Sequence, residues 1–213
     1  MGRITKVKQL TDRDINIFVD LGRCRVLSLE QIHKQYWPEA QKRTCLERMA
    51  RLEKAGYIQS LDISAEKAGE HIKVFCLDVK GRNKVCGPDG LIKDNVFVYP
   101  GKLNEILHQV RTNNAYYALS DNEKGTYRIG DLIEKDRGVN RGGGGVEVPD
   151  ASYVSDDGFE VFVEADTGQY NARQVREKVA SFGSAKTIWV CPSKRIGFLQ
   201  RHGAEGRFMP YNL

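Results

Sequence analysis

The chain has 213 residues, 40% of them hydrophobic and 29% charged, with a formal net charge of +5. This is ordinary globular composition, enough for one domain or two small ones, and it excludes a disordered or fibrous chain. No apolar run approaches the roughly 20 residues that a membrane span needs. The start, MGRITKVKQL, is basic but lacks a signal peptide's apolar stretch and cleavage site, so a cytoplasmic protein is expected. Cys24, Cys45, Cys76, Cys86 and Cys191 are odd in number and scattered, without zinc-ligand spacing to His33, His71, His108 or His202. Reduced, packing thiols are expected.

The charge is unevenly placed. Residues 1–90 hold 17 Lys+Arg against 12 Asp+Glu, a net of +5, whereas residues 91–213 hold 16 of each. The whole excess sits in the first half, where it would attract a phosphate backbone.

Thr11 is placed to cap a first helix, with Asp12 and Asp14 in its first turn and Ile15, Phe18, Val19 and Leu21 as its apolar stripe. Ser28 caps a second, LSLEQIHKQYW, which Pro38 ends. A third, EAQKRTCLERMARLEKAG, stops at Gly56. It sets Cys45, Leu46, Met49 and Leu52 on one side and Arg43, Thr44, Glu47, Arg51 and Lys54 on the other, with Arg48 at the edge. Two strand-like runs follow, YIQSLDIS and HIKVFCLD, around the turn AEKAGE. Three helices and a hairpin are the order of a winged helix, whose third helix enters the major groove while the wing touches backbone. In that arrangement Arg43, Thr44, Arg48 and Arg51 face bases or phosphates, and Lys54, Lys67 and Lys73 face phosphates. A winged-helix DNA-binding domain is therefore expected over 1–88, with an α/β domain over 89–213.

Residues 77–95 read as a connecting segment with at most one short helix or strand. GKLNEILHQVRTNNAYYALS fits a helix burying Leu103, Ile106, Leu107, Val110 and Tyr117; TYRIGDLIEKDR reads as a strand; RGVNRGGGGVEV reads as a mobile loop. Between Arg141 and Arg173 there is no Lys or Arg, while Glu147, Asp150, Asp156, Asp157, Glu160, Glu164 and Asp166 accumulate. Seven acids without a base are either solvated or neutralised by a cation.

Ser155-Asp156-Asp157-Gly158 is a hairpin signal between ASYV and FEVFVEA. A loop of two, three or four residues sets Asp150 opposite Ala165, Glu164 or Val163. Strand alternation puts Glu160, Phe162, Glu164 and Asp166 on one side. Asp150, Glu164 and Asp166 can thus meet at one end of the hairpin, where oxygen ligands suit Mg²⁺ or Mn²⁺. The helix QYNARQVREKVASF then carries Arg173, Arg176 and Lys178 toward the acids, and KTIWVCPS reads as a buried strand. If the helix starts near Gln169, Lys178 lies about 13 Å along it, within reach only if the helix folds back across the sheet. The alternative to a metal site is that the acids hydrogen-bond this helix and its arginines.

Asp150, Glu164-x-Asp166 and Lys178 on the next helix resemble the core of PD-(D/E)XK nucleases. In that family two acids hold the metal and a lysine positions the attacking water; Glu105 or Glu134 would stand for the additional acid of many members. Asp166 occupies the lysine's usual place, which leaves Lys178 to supply the amine. TDRDINIFVDLGRCR, RMARLEKAGYI and VPDASY…FVEADTGQYNARQVREKVASF together resemble the replication-relaxation family of plasmids and mobile elements, over residues 11–60 and 147–182.

The resemblance implies a bacterial cytoplasmic protein of plasmid replication, DNA relaxation or mobilisation. An α+β chain is expected, its winged helix followed by a mixed sheet of nuclease-like type. The leading expectation is a homodimeric double-stranded-DNA-binding protein rather than an enzyme. The second is an Mg²⁺-dependent endonuclease, with Asp150, Glu164, Asp166 and Lys178 as its site. The third is an adaptor binding a relaxase or replication protein.

Overall fold

The computed structural model describes Val7 and residues 9–65, 70–138 and 147–211. It is a mixed α+β structure in two compact units, 1–106 and 107–213.

In the first unit, helix α1 (Asp12–Cys24) opens on a capping box in which Thr11 accepts from Asp14 N and Asp14 accepts from Thr11 N. Its buried stripe is Asp14, Ile17, Phe18, Leu21 and Cys24. The expected stripe was out of phase at Ile15 and Val19, which are only half-buried. The reason is that two aspartates, Asp14 and Asp20, share the buried face, each with a partner of its own: Arg48 for Asp14, and the Tyr36 hydroxyl at 2.6 Å for Asp20. Strand β1 (Leu27–Ser28) leads into α2 (Leu29–Tyr36), capped by Ser28 and Gln31 and ending just before Trp37-Pro38.

Helix α3 (Lys42–Lys54) buries Cys45, Met49 and Leu52. Leu46, expected among them, is 37% exposed. Gly56 follows with φ +76°, the left-handed turn that a side chain would disfavour. Strands β2 (Ile58–Ala65) and β3 (Glu70–Leu77) pair antiparallel from Ile58↔Leu77 to Ala65↔Glu70, and β1 joins the other edge of β3. The three helices close over this sheet around Phe18, Leu21, Ile32, Met49, Leu52, Val74 and Phe75, all fully buried.

The unit extends beyond residue 88. Helix α4 (Val79–Val85) is the one short helix allowed for, followed by a 3-10 turn at Lys93–Asn95. Arg25 then holds the next stretch in place. Its guanidinium lies 4.8 Å from the Phe97 ring centre and 4.6 Å from that of Tyr99, and it is almost wholly buried. The compact unit runs to Ile106, whereas the order of elements in the sequence puts the winged-helix boundary at 88. The charge division survives the move: residues 1–106 hold 19 bases and 14 acids, and 107–213 hold 14 of each.

The division falls inside α5 (Leu103–Thr112), which buries Ile106 and Val110 but leaves Leu103 58% exposed. In the second unit Tyr116, rather than Tyr117, is fully buried. Helix α6 (Asp121–Thr126), with its Ser120–Glu123 capping box, precedes β4 (Arg128–Ile129) and α7 (Gly130–Arg137). TYRIGDLIEKDR is thus mostly helix: only two residues pair with β5, and Leu132 and Ile133 turn into the core. Most of RGVNRGGGGVEV lies outside the described residues, as does Lys67.

Strands β5 (Ala151–Val154) and β6 (Glu160–Ala165) form the expected hairpin, with Ala151↔Val163 and Val154↔Glu160 as its ends. Ser155 N donates to Phe159 O at 2.8 Å, enclosing the three-residue loop Asp156-Asp157-Gly158, where Gly158 takes φ +82°. Helix α8 (Ala172–Phe182) crosses to β7 (Lys186–Cys191), which runs parallel to β6; α9 (Ile196–Arg201) and β8 (Arg207–Pro210) extend the sheet. The order β4-β5-β6-β7-β8 is a mixed sheet. On one face Val175 of α8, Leu199 of α9, Trp189 and Cys191 share a buried cluster. Sequence patterning had not separated α6, α9 and β8 from their loops: each is only four to six residues long, too short to show a period.

Candidate functional site

Two groups of side chains carry chemistry. The first is the outer face of α3. At 100° per residue, Arg43, Glu47, Ala50 and Lys54 lie opposite the buried Cys45, Met49 and Leu52, with Thr44 and Arg51 to one side. Arg43, Thr44 and Lys54 are exposed and Arg51 is half-exposed. Glu47 accepts from Arg43 Nε at 3.0 Å and lies 3.7 Å from Arg51 Nη2. Lys73, on the hairpin, pairs across the strands with Asp62 at 3.0 Å.

Arg48 faces elsewhere. It donates to both oxygens of Asp14, from Nε at 2.9 Å and also from Nη2, and reaches Gln9 O at 3.3 Å. Asp14 is fully buried and Arg48 keeps only a fifth of its side-chain surface. Burial pushes the Asp14 carboxyl up, but the Arg48 and Thr11 hydrogen bonds outweigh it and hold the carboxyl below its ordinary range. Arg48 was expected to turn toward DNA; it is spent on this internal pair.

The second group lies where β5 and β6 begin and end. Continuing the register beyond Ala151↔Val163 sets Asp150 opposite Glu164. Asp150 Oδ2 accepts from Ala165 N at 2.9 Å and lies 2.9 Å from His108 Nε2 on α5. Glu164 Oε1 accepts from Lys178 Nζ at 2.7 Å and from the Tyr170 hydroxyl at 2.6 Å. Glu164 Oε2 is buried and has no hydrogen-bond partner. Lys178 also reaches Glu147 at 3.3 Å.

The electrostatics follow from this crowding. Burial, then the nearby Asp150 charge, push Glu164 up to about 7 despite Lys178. Burial would also raise Asp150, but His108 and Lys178 hold it low. Burial works to lower Lys178, and the charges of Glu164 and Asp150 overcome it and hold it raised.

The helix reaches the acids because it starts at Ala172 and folds back over the sheet, with Phe182 against Phe162 at 5.3 Å between ring centres. Lys178 is thus at the acids, contrary to the distance expected from a helix running away. Arg173 and Arg176 are not: they pair with Glu177 and with His202 Nδ1.

Asp166 stands apart from Asp150 and Glu164. Its Oδ1 accepts from Gly168 N at 2.7 Å and its Oδ2 from Arg195 Nε at 2.7 Å. It lies just past the end of β6, its N–H still donating to Val190 O at 2.9 Å, and its carboxylate is taken by Gly168 and Arg195. Among the described residues no three His, Cys, Asp or Glu side chains gather into a metal-binding group. Two carboxylates and a lysine are therefore what the hairpin assembles, not three carboxylates.

His108, Tyr170 and Arg195 were missed as members of these networks. Arg195 had no sequence signal; it comes to Asp166 because β6 and β7 run parallel and in register, which sets residues beyond Cys191 near those beyond Ala165. His108 and Tyr170 had none beyond their place beside the apolar stripes of α5 and α8. A cavity of about 410 Å³ lined by Val179, Phe182, Lys186, Trp189 and Glu205 involves none of the acids above.

No helix among the described residues is long and apolar enough to cross a membrane. No curated protein gives a significant match to the chain. The replication-relaxation family model does match, over residues 18–184, a span from α1 through α8 and its network of Asp150, Glu164 and Lys178; the chain belongs to the replication-relaxation family.

Proposed function

We propose that this protein binds double-stranded DNA of a plasmid or mobile element through its first unit, as a homodimer, and acts there in replication, relaxation, mobilisation or their regulation. The observation that carries the reading is the outward face of α3, where Arg43, Thr44, Arg51 and Lys54 stand beside a β-hairpin bearing Lys73. The element order α1-β1-α2-α3-β2-β3 is that of a winged helix, in which such a helix enters the major groove. The family's connection with replication and relaxation supports it, as does the location of the whole +5 excess in residues 1–106. The test is fluorescence anisotropy with random-sequence duplex across a salt series. Binding that weakens steeply with salt is expected; no binding at 50 mM salt removes the proposal.

A second reading, a metal-dependent nuclease of PD-(D/E)XK type, is favoured by one atom. Glu164 Oε2, buried and without a hydrogen-bond partner, is what a carboxylate awaiting a cation would leave. Asp150 and Glu164 fit Mg²⁺ or Mn²⁺ by donor type; Asp166, held by Arg195, does not join them. A bound cation would supply Lewis acidity and an activated water. Lys178, donating to Glu164, would orient the carboxylate and offer its ammonium to an oxyanion.

A further inference from the structure

We propose that α4 is a second phosphate-binding element, its Lys80 and Lys84 holding the DNA backbone where the C-terminal end of α3 leaves the major groove. This assignment rests on the DNA-binding reading above and adds to it a surface that the α3 face does not include.

Charge singles out this short helix. Residues 79–88 contain Lys80, Arg82 and Lys84 and no acid. Without those three, residues 1–106 hold 16 bases against 14 acids, so α4 carries three of the unit's five excess charges. The outward face of α3 carries a net of two, because Glu47 offsets one of Arg43, Arg51 and Lys54. On the hairpin, Lys73 is matched by Asp62.

Packing fixes α4 against the end of α3. Asp78 N donates to Tyr57 O at 3.0 Å, and a Cβ on Gly81 would lie 2.1 Å from that oxygen, so glycine is what lets α4 press on this corner. Lys80 Nζ donates to Ala55 O at 2.8 Å and lies 4.2 Å from the centre of the Tyr57 ring. Ala55 caps α3 at the negative end of the helix dipole, which would repel a phosphate; the Lys80 ammonium reverses the sign there. Both of these contacts are with uncharged groups, so the ammonium keeps its full charge, and it has three donors. Lys84 is exposed one turn further along the same side, with no acid three or four positions from it in either direction.

A helix of 13 residues is about 20 Å long and the major groove about 12 Å wide. The N-terminal residues of such a helix meet the bases, so its C-terminal end emerges beside a flanking strand. Lys80 and Lys84 stand about 6 Å apart along α4, close to two nucleotides at about 3.4 Å each. The ligand is therefore the phosphate backbone of duplex DNA, bound without base preference.

The test is fluorescence anisotropy with random-sequence duplex across a salt series, on the full chain and its K84A, K80A and K186A variants, with folding checked by circular dichroism. K186A removes an equal charge from the second unit. K84A is expected to flatten the salt slope by about one, so that its deficit against the wild type shrinks about 3.5-fold between 50 and 200 mM salt. K80A should do the same; because it also uncovers the end of α3, K84A decides if K80A does not fold. K186A should keep the wild-type slope. Sequences selected from a random duplex pool should be the same for K84A and the wild type. A wild-type slope in K84A, or an equal drop in K186A, overturns the assignment of α4 and leaves binding by α3 standing. A changed selected sequence in K84A overturns it too, since Lys84 would then touch bases. Failure of the wild type to bind any duplex overturns both readings.

Discussion

Arg48 and Asp14 are joined by a two-pronged ion pair that ties the middle of α3 to the first turn of α1. Asp14 also completes the Thr11 capping box, so a single buried carboxylate fixes a helix start and a helix–helix contact at once. A bidentate fork needs a guanidinium; an ammonium cannot reproduce it.

Arg48→Ala and Asp14→Asn should therefore each destabilise the first unit by about 3 kcal/mol, since either leaves a desolvated group unpaired. Arg48→Lys should recover little of the loss. Urea unfolding followed by Trp37 fluorescence measures this. In DNA titrations on folded protein, Arg48→Ala should keep the wild-type salt slope; a slope reduced by about one would make Arg48 a phosphate contact after all.

On the outer face the pattern should invert. Arg51→Ala should weaken duplex binding and flatten the salt slope by about one while changing stability little. Leu52→Ala, one residue on and fully buried, should cost about 2–5 kcal/mol of stability. Its folded fraction should bind DNA as the wild type does. If Arg51→Ala unfolds the unit and leaves affinity unchanged, the assignment of faces on α3 is wrong.

Division of the chain gives a further check. A fragment of residues 1–106 should retain salt-sensitive duplex binding, and residues 107–213 should bind weakly. A fragment ending at 88 should be less stable, because it lacks the Phe97 and Tyr99 rings that enclose Arg25. Equal duplex affinity in the two halves would overturn the division of labour.

Much of this was legible in the sequence where one residue settles local geometry. Thr11, Ser28 and Gly56 marked helix ends, and Ser155-Asp156-Asp157-Gly158 restricted the hairpin to three registers, of which the three-residue loop is realised. What stayed hidden depends on distant partners. Nothing local says that Arg48 will turn to Asp14, 34 positions earlier, or that Asp166 will turn to Arg195. Alternation aligned Asp166 with Glu164, and its N–H does stay bonded to Val190 O of β7, but its carboxylate is engaged by Arg195, 29 positions on, and by Gly168. Lys178 was placed too far because a helix start three residues later, and the return of α8 over Phe162, are tertiary facts.

Glu164 should give the second unit an unusual pH dependence. Its carboxyl is raised from an ordinary 4.5 to about 7, so its contribution to stability is complete below about pH 4.5 and is lost as pH rises toward 7. The whole shift corresponds to at most about 3 kcal/mol. Asp14 acts in the opposite sense in the first unit: its lowered carboxyl contributes above its ordinary 3.8 and fails as the pH falls through its lower folded value. Unfolding of a Trp37→Phe protein, read by Trp189, should show stability falling between pH 5 and 7.5, and Glu164→Gln should flatten that fall. A wild-type profile already flat over this window would mean that Glu164 is ionised throughout.

The choice between a carboxylate site that cleaves and one that only holds its sheet turns on Glu164 and Lys178. A working site needs a cation on at least two acids and an amine near the attacking water. Asp150 and Glu164 stand together and Lys178 is 2.7 Å from Glu164, so the parts are nearer than the sequence suggested. Against this, Asp166 is closed off by Arg195 and Gly168, and His108 and Ala165 N already occupy Asp150 Oδ2. The expected outcome with plasmid DNA and Mg²⁺ or Mn²⁺ is a mobility shift by both wild type and Glu164→Ala, with little cleavage by either. Chelation by EDTA should leave that shift unchanged, since the proposed α3 contact needs no metal. Nicking by the wild type that vanishes in Glu164→Ala and in EDTA would make the protein a metal-dependent endonuclease. In that case the unpartnered Glu164 Oε2 is the cation's place.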